Sequence, residues 1–358
     1  MTTPTHNPNP AQRWIFPFFN AILLAGLGYG LSLLLGYRLW WIIGGAIGGL
    51  LFAVLLEVLA YNRGWYRGRL YLAVLLEVPF ILFVLAPYVF VITQTQPLPT
   101  TICCSTPADF GAVDYETVMM PMRDDVRLSG WYVPPPDEGD ALIILLHGIG
   151  DNRLLTRWHA AQLYQAGYGV LMYDQRAMGA SEGATRSFGW LDQDDLSDVI
   201  DWVLAQGDVD PDKIGAVGLS LGGHIALPTA GKDPRLRAIW VDGVAIQHAR
   251  DFPNPQTIGE RIEQFYQGLL DLALTVYTGQ LPDPIIDHAP RIAPRPVYLV
   301  AGEATEFEAR ASRRYAEAIG TSATLWVVDG GGHVNAHRLY PDDYRQRMID
   351  FFNAAFAD

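Results

Sequence analysis

The strongest chemical signal in this chain is a serine between glycines, G-L-S-L-G-G at 218–223. It follows the apolar run I-G-A-V-G-L (214–219) and leads into L-G-G-H-I-A-L, so it reads as a strand, a cramped turn and a helix. Small residues at 218 and 222 let such a turn close, which would lift the Ser220 hydroxyl out at the carboxyl end of a sheet, above a helix N-terminus. In a chain with 35 glycines the bare pattern could arise by accident, and a glycine-rich packing turn is the plain alternative. His224, one turn into the helix, reads as a packing residue.

A serine hydroxyl is a poor nucleophile until a neighbouring base takes its proton. The run A-T-L-W-V-V-D-G-G-G-H (323–333) supplies a base in a suitable place: an apolar strand, a glycine loop and then His333, with His337 as the second choice. Two backbone N–H groups are needed where negative charge develops on a substrate carbonyl. Leu221, the residue after the serine, should give one. Ile149 should give the other, from the loop H-G-I-G-D-N-R (147–153) that follows A-L-I-I-L-L (141–146). His147, at that strand's end, reads as a brace for the loop.

The elements that must hold these groups are legible from Tyr115 onward. Continuous apolar runs at 141–146, 168–173, 214–219, 236–241 and 296–300 suit buried parallel strands. V-R-L-S-G-W-Y-V (126–133) alternates like an antiparallel edge strand, while 192–206 and 341–356 read as helices. The expected fold class is therefore α/β, a mostly parallel sheet of about eight strands with helices on both faces.

The order of H-G-x-G-x-N-R (147–153), D-x-R-x-x-G-x-S-x-G (174–183), G-x-S-x-G-G (218–223) and G-G-G-H (330–333) resembles the α/β-hydrolase superfamily. More narrowly it is similar to the bud-emergence-protein-like and acyl-aminoacyl-peptidase-like esterases with an N-terminal anchor. The resemblance implies that Asp174 and Arg176 form a structural turn beside the site. It also implies a triad acid after strand 296–300, in a pattern G-x-x-D. Here the chain reads G-E-A-T-E-F-E, with Thr305 where Asp would stand. A glutamate can also fix the tautomer of a histidine. Thr305 and Glu308 look like a capping box that opens the next helix, which leaves Glu306 as the expected acid and Glu303 and Asp242 as alternatives.

Residues 243–295 form an insertion in which Ile258, Ile262, Phe265, Leu269, Leu272 and Val276 recur at helical spacing. This is either a helix packed on the sheet or a lid over Ser220 that supplies an acyl pocket.

The first 92 residues read differently. Trp14–Tyr37 is a 24-residue uncharged run, and further apolar runs cover about 39–60 and 70–92. Each is long enough to cross a hydrocarbon layer of roughly 30 Å. Three transmembrane helices are expected here, too long and too many for a cleaved leader. G-G-A-I-G-G (44–49) contains small-residue spacings suited to helix contacts in lipid, and Glu57 and Glu77 are expected to pair with the arginines of 63–69. Those arginines place the 61–69 loop in the cytoplasm and the catalytic domain outside the cell membrane. Residues 93–110, rich in Thr and Pro, read as a linker to a domain at 111–358.

Charge excludes one class of partner. Residues 1–100 hold five Arg and two Glu, a net +3, so the chain's −13 leaves −16 on the remainder, which repels nucleic acid. The two cysteines, adjacent at 103 and 104, can form no metal site; they are plain thiols, a vicinal disulfide or a link to another chain. The expected activity is hydrolysis of a carboxylic ester, lipid-derived given the anchor, through an acyl-Ser220 intermediate and with no cofactor. A peptide or thioester substrate is the alternative within that class. A hydrolase scaffold without activity, used for binding or membrane assembly, is the alternative outside it.

Overall fold

The computed structural model describes residues 51, 79–136, 140–252, 254–280 and 283–357. The chain divides into two compact units, Met1–Gln94 and Thr95–Asp358. The described part of the first unit ends in a π-helical turn, Ile81–Leu85, that runs into helix α1 (Ala86–Thr95). The three expected membrane spans otherwise lie outside the described residues. Among the described residues no helix is long and apolar enough to cross a membrane.

The second unit is built on one eight-stranded sheet. Its strands are β1 (Glu116–Pro121), β2 (Arg127–Val133), β3 (Leu142–Leu146), β4 (Gly169–Tyr173), β5 (Ile214–Leu219), β6 (Ala238–Asp242), β7 (Val297–Gly302) and β8 (Ala323–Val328), in the spatial order β8-β7-β6-β5-β3-β4-β2-β1. From β4 to β8 all pairings are parallel, while β2 lies antiparallel to both β1 and β4. Strand β2 is thus interior rather than an edge. The edge belongs to E-T-V-M-M-P, whose Val118 and Met120 turn into the core.

Parallel strands leave both faces to be covered, and the five central ones are buried throughout. Helices α2 (Arg157–Gln165), α3 (Asp192–Gln206), α4 (Leu221–Lys232), α5 (Ile258–Thr278), α6 (Glu306–Ile319) and α7 (Pro341–Ala355) follow in chain order. One core, around Ile144, Ile214 and Val241, takes Val199 from α3, Ile225 from α4 and Tyr315 from α6. The other, around Ile143, Val217 and Trp240, takes Leu163 from α2 and Met348 and Phe352 from α7. Packing is close enough that a Cβ on Gly215 would approach Phe352 Cε1 to 2.7 Å.

The segment expected as a linker is docked on the sheet unit from Thr95 onward. Leu98–Pro99 pairs with Met178–Gly179, Thr100 Oγ1 accepts from Asn152 Nδ2 at 3.0 Å, and Ile102 and Phe110 pack against the second core. Thr106 and Asp109 cap the turn Pro107–Phe110 reciprocally. Cys103 and Cys104 form a disulfide with each other.

Candidate active site

The site lies where open parallel sheets present their ligands, beyond the carboxyl ends of the strands. At the end of β5 the backbone must reverse into α4 within one residue. Ser220 makes that turn with φ 52° and ψ −110°, a conformation L-residues rarely hold. Two glycines permit it. A Cβ on Gly218 would sit 2.5 Å from the Gly222 carbonyl, and one on Gly222 would collide with the Leu146 carbonyl oxygen. The Ser220 N–H donates to the Asp242 carbonyl at 2.8 Å, which ties the turn to the neighbouring strand.

His333 reaches the same point from beyond β8. Its loop is framed by Gly332 N–H to Asn335 Oδ1 (2.8 Å), Ala304 N–H to the Gly331 carbonyl (2.8 Å) and Gly330 N–H to Glu303 Oε2 (3.1 Å). His333 Nε2 lies 3.0 Å from Ser220 Oγ, and Nδ1 lies 2.6 Å from Glu308 Oε2. A carboxylate only accepts, so Nδ1 carries the proton and Nε2 is left to receive the serine hydroxyl. The hydrogen bond to Glu308 holds the imidazole above its ordinary pKa, against the opposing effect of partial burial.

The carboxylate that meets His333 is therefore Glu308, not Glu306 or Glu303. Glu306 is exposed at the start of α6, and Glu303 is spent on the Gly330 N–H. The capping-box reading of Thr305 and Glu308 also fails: Thr305 makes no side-chain cap, and Glu308 folds back to accept the Gly302 N–H at 2.9 Å. Glu308 is wholly buried. A signal for it was present in the sequence. Glu308, Ser312, Tyr315 and Ile319 follow at helical spacing on the buried face of α6, and a carboxylate on such a stripe needs a partner.

Asp242 sits beneath this pair without joining it. Burial and the charge of Glu308 push its carboxyl up to about 7, and its hydrogen bond goes to Tyr344. His337 packs among Trp158, His159 and Tyr344, where burial lowers it to about 4. His224 is also lowered to about 4 by burial, with its ring nitrogens on the Ser220 and Ala245 carbonyls.

Gly148 brings the 147–153 loop against the serine, since a Cβ there would lie 3.5 Å from Ser220 Cβ. His147 braces the loop's base by accepting the Gln175 N–H at 3.0 Å, and Gln175 Nε2 donates to the His147 carbonyl at 2.7 Å. At the loop's far end Arg153 Nη2 meets Asp174 Oδ2 at 2.8 Å in a buried ion pair, while Arg176 holds Asp195 and Asp124. The Ile149 N–H, in the turn after Gly148, donates to no backbone carbonyl among the described residues.

Comparison with known proteins agrees with this fold. The family model for X-Pro dipeptidyl-peptidases (S15 family) matches residues 101–255. The YfhR protein of Escherichia coli strain K12 is 28% identical over 249 residues, covering 67% of this chain and 81% of its own length. The quorum-quenching protein AidA of Acinetobacter baumannii is 32% identical over 124 residues, 32% of this chain and 40% of AidA. Among solved structures, the esterase Pf2001 of Pyrococcus furiosus superposes with a TM-score of 0.57 at 22% identity, over 73% of this chain and 99% of that one. The α/β hydrolase GrgF from Penicillium gives 0.57 at 19% identity, over 69% and 100%. With the eight-stranded sheet and the serine turn already described, these likenesses identify the fold of this chain as that of the α/β-hydrolase superfamily.

Proposed function

We propose that this chain is a membrane-anchored serine hydrolase that cleaves carboxylic esters through an acyl-Ser220 intermediate. The observation that carries the reading is the relay Ser220–His333–Glu308, with both hydrogen bonds at contact distance. His333 takes the hydroxyl proton as Ser220 Oγ attacks the carbonyl carbon, and Glu308 stabilises the imidazolium that forms. The Ile149 and Leu221 N–H groups receive the oxyanion. His333 then hands the proton to the leaving alcohol. It next deprotonates a water that attacks the acyl carbon, which returns free Ser220 and a carboxylic acid.

Thr305, standing where an aspartate is expected, would favour the scaffold alternative if no other carboxylate met His333. Glu308, one turn into α6, fills that role from a different backbone position, so the substitution no longer argues for inactivity. The three apolar runs of residues 1–92 support anchoring of the domain at a membrane.

A fluorophosphonate probe, which phosphonylates activated serines, tests the reading on the detergent-solubilised full chain. Wild type should label, while Ser220→Ala and His333→Ala should not. Labelling that survives Ser220→Ala, or an unlabelled wild type, would overturn it.

A further inference from the structure

Helix α5 carries a second apolar stripe that faces away from the domain. Surface helices turn an apolar stripe inward and a polar one to water. In α5 the side chains that reach the domain include polar ones beside the buried Ala273 and Leu274. Glu260 Oε1 meets Arg310 Nη1 at 2.6 Å, and Gln264 Nε2 donates to the Ala249 carbonyl at 3.0 Å. Gln267 Nε2 donates to the Gln247 carbonyl at 2.8 Å, and Asp271 Oδ2 accepts the Ala249 N–H at 2.9 Å. At about 100° per residue, Ile258, Ile262, Leu269, Leu272 and Val276 fall within an arc of roughly 80° on the opposite side. Ile258 is 79% exposed, Ile262 61%, Leu272 60% and Val276 68%. From Gln264 to Thr278 the one charged residue is Asp271, and it is buried on the inner side. The outer face there carries no charge over more than three turns.

The point at which the chain enters the domain says what covers this face. Thr95 and Gln96 are held by Arg186, whose N–H donates to the Thr95 carbonyl at 2.8 Å and whose Nε donates to the Gln96 carbonyl at 2.5 Å. Gln96 Nε2 lies 3.5 Å from Tyr277 Oη, at the carboxyl end of α5. The chain upstream of that point carries the three long apolar runs of residues 1–92. The last of those runs ends at residue 92, four residues before Gln96.

We infer that the outward stripe of α5 lies in the surface of a lipid bilayer, and that the Ser220 site takes esters of bilayer lipids delivered past this helix. The docking half of this inference stands on α5 alone; the substrate half rests on the serine-hydrolase reading above. The helix is placed to serve the site because it is tied to both segments that build it. Arg310 is two residues beyond Glu308. The 247–251 segment leaves β6 just beyond Gly243, where a Cβ would lie 3.0 Å from His333 Cε1.

The test uses the full chain reconstituted in phosphatidylcholine vesicles. Cys103 and Cys104 are joined to each other, so an environment-sensitive fluorophore goes to an introduced cysteine, Leu272→Cys or Arg345→Cys on the distant helix α7. Spin-labelled phosphatidylcholine should quench the fluorophore at 272 several-fold more than at 345, as expected for an apolar face in the acyl boundary. Equal quenching at the two positions would overturn the docking. So would energy transfer between copies labelled at 272 without lipid quenching, which would make the stripe a contact between two chains. In unlabelled protein, the triple variant Ile262→Ser, Leu272→Ser, Val276→Ser should hydrolyse a diacylglycerol ester in vesicles roughly tenfold more slowly while keeping its rate on p-nitrophenyl acetate. Equal rates on the vesicle ester would overturn the delivery role. A wild type inactive on both esters but quenched at 272 would remove the hydrolase reading and leave the docking intact.

Discussion

Helices α5 and α6 are neighbours joined by the Glu260–Arg310 ion pair, and both are amphipathic, yet they use their two faces in opposite ways. Helix α6 buries Ala311, Tyr315 and Ile319 and carries one carboxylate, Glu308, into the core with them. Helix α5 buries Asp271 with Ala273 and Leu274 and sets Gln264 and Gln267 against the domain, while an apolar stripe faces out. Apolar periodicity thus tells which face of a helix is to leave water, but not what covers that face. A carboxylate on the inner face of a helix is a separate signal, and its meaning depends on its partners: the His333 ring beside Ser220 for Glu308, and the Ala249 N–H, Gln267 and the His248 ring at 3.6 Å for Asp271.

Removing each carboxylate breaks the comparison most sharply. Glu308→Ala is expected to lower kcat/KM for a soluble ester by about 10²- to 10⁴-fold, because the imidazolium loses its partner. Asp271→Ala should leave kcat/KM nearly unchanged and instead cost about 1–3 kcal/mol of stability, the penalty of an unmet buried N–H. Steady-state kinetics and urea melts on the two variants separate these outcomes, and a large kinetic loss in Asp271→Ala would sink the distinction. The apolar stripes come next. Ile319→Ala on α6 should destabilise the domain by about 2–5 kcal/mol, since it opens a cavity in the core. Leu272→Ala on α5 should stay within about 0.5 kcal/mol in detergent, as for other exposed positions. Similar losses at both would mean that the α5 stripe is packed against protein.

The positions of Ser220 and His333 at the strand ends were legible because each is fixed by local chemistry. A strand, the crowded turn at Gly218 and Gly222, and the glycine loop before His333 leave the backbone few ways to run. The strands at 142–146, 169–173 and 214–219 were legible for a similar reason, as unbroken apolar runs between helices. The acid was not. Thr305 and Glu308 satisfy the capping-box spacing, and only the packing of α6 on the sheet, with Gly302 N–H and His333 converging on one carboxylate, turns Glu308 inward. Strand β1 escaped notice because its alternation is short and ends in Pro121; its place at the edge is set by pairing with β2. The docking of residues 95–110 is likewise a matter of tertiary contacts, such as Asn152 with Thr100, that no local pattern announces.

The central claim is that Glu308 completes a relay with His333 and Ser220, and the pH profile tests it most directly. His333 must be neutral to act as base, so kcat/KM rises with pH through its pKa. Glu308 raises that pKa, so the wild-type midpoint should lie above the ordinary histidine value. Glu308→Gln keeps the shape and removes the charge. It should lower kcat/KM by two or more orders of magnitude and move the midpoint to lower pH, whereas Glu306→Gln should match wild type in both respects. The opposite pattern, with the loss and the shift in Glu306→Gln and none in Glu308→Gln, would contradict the account.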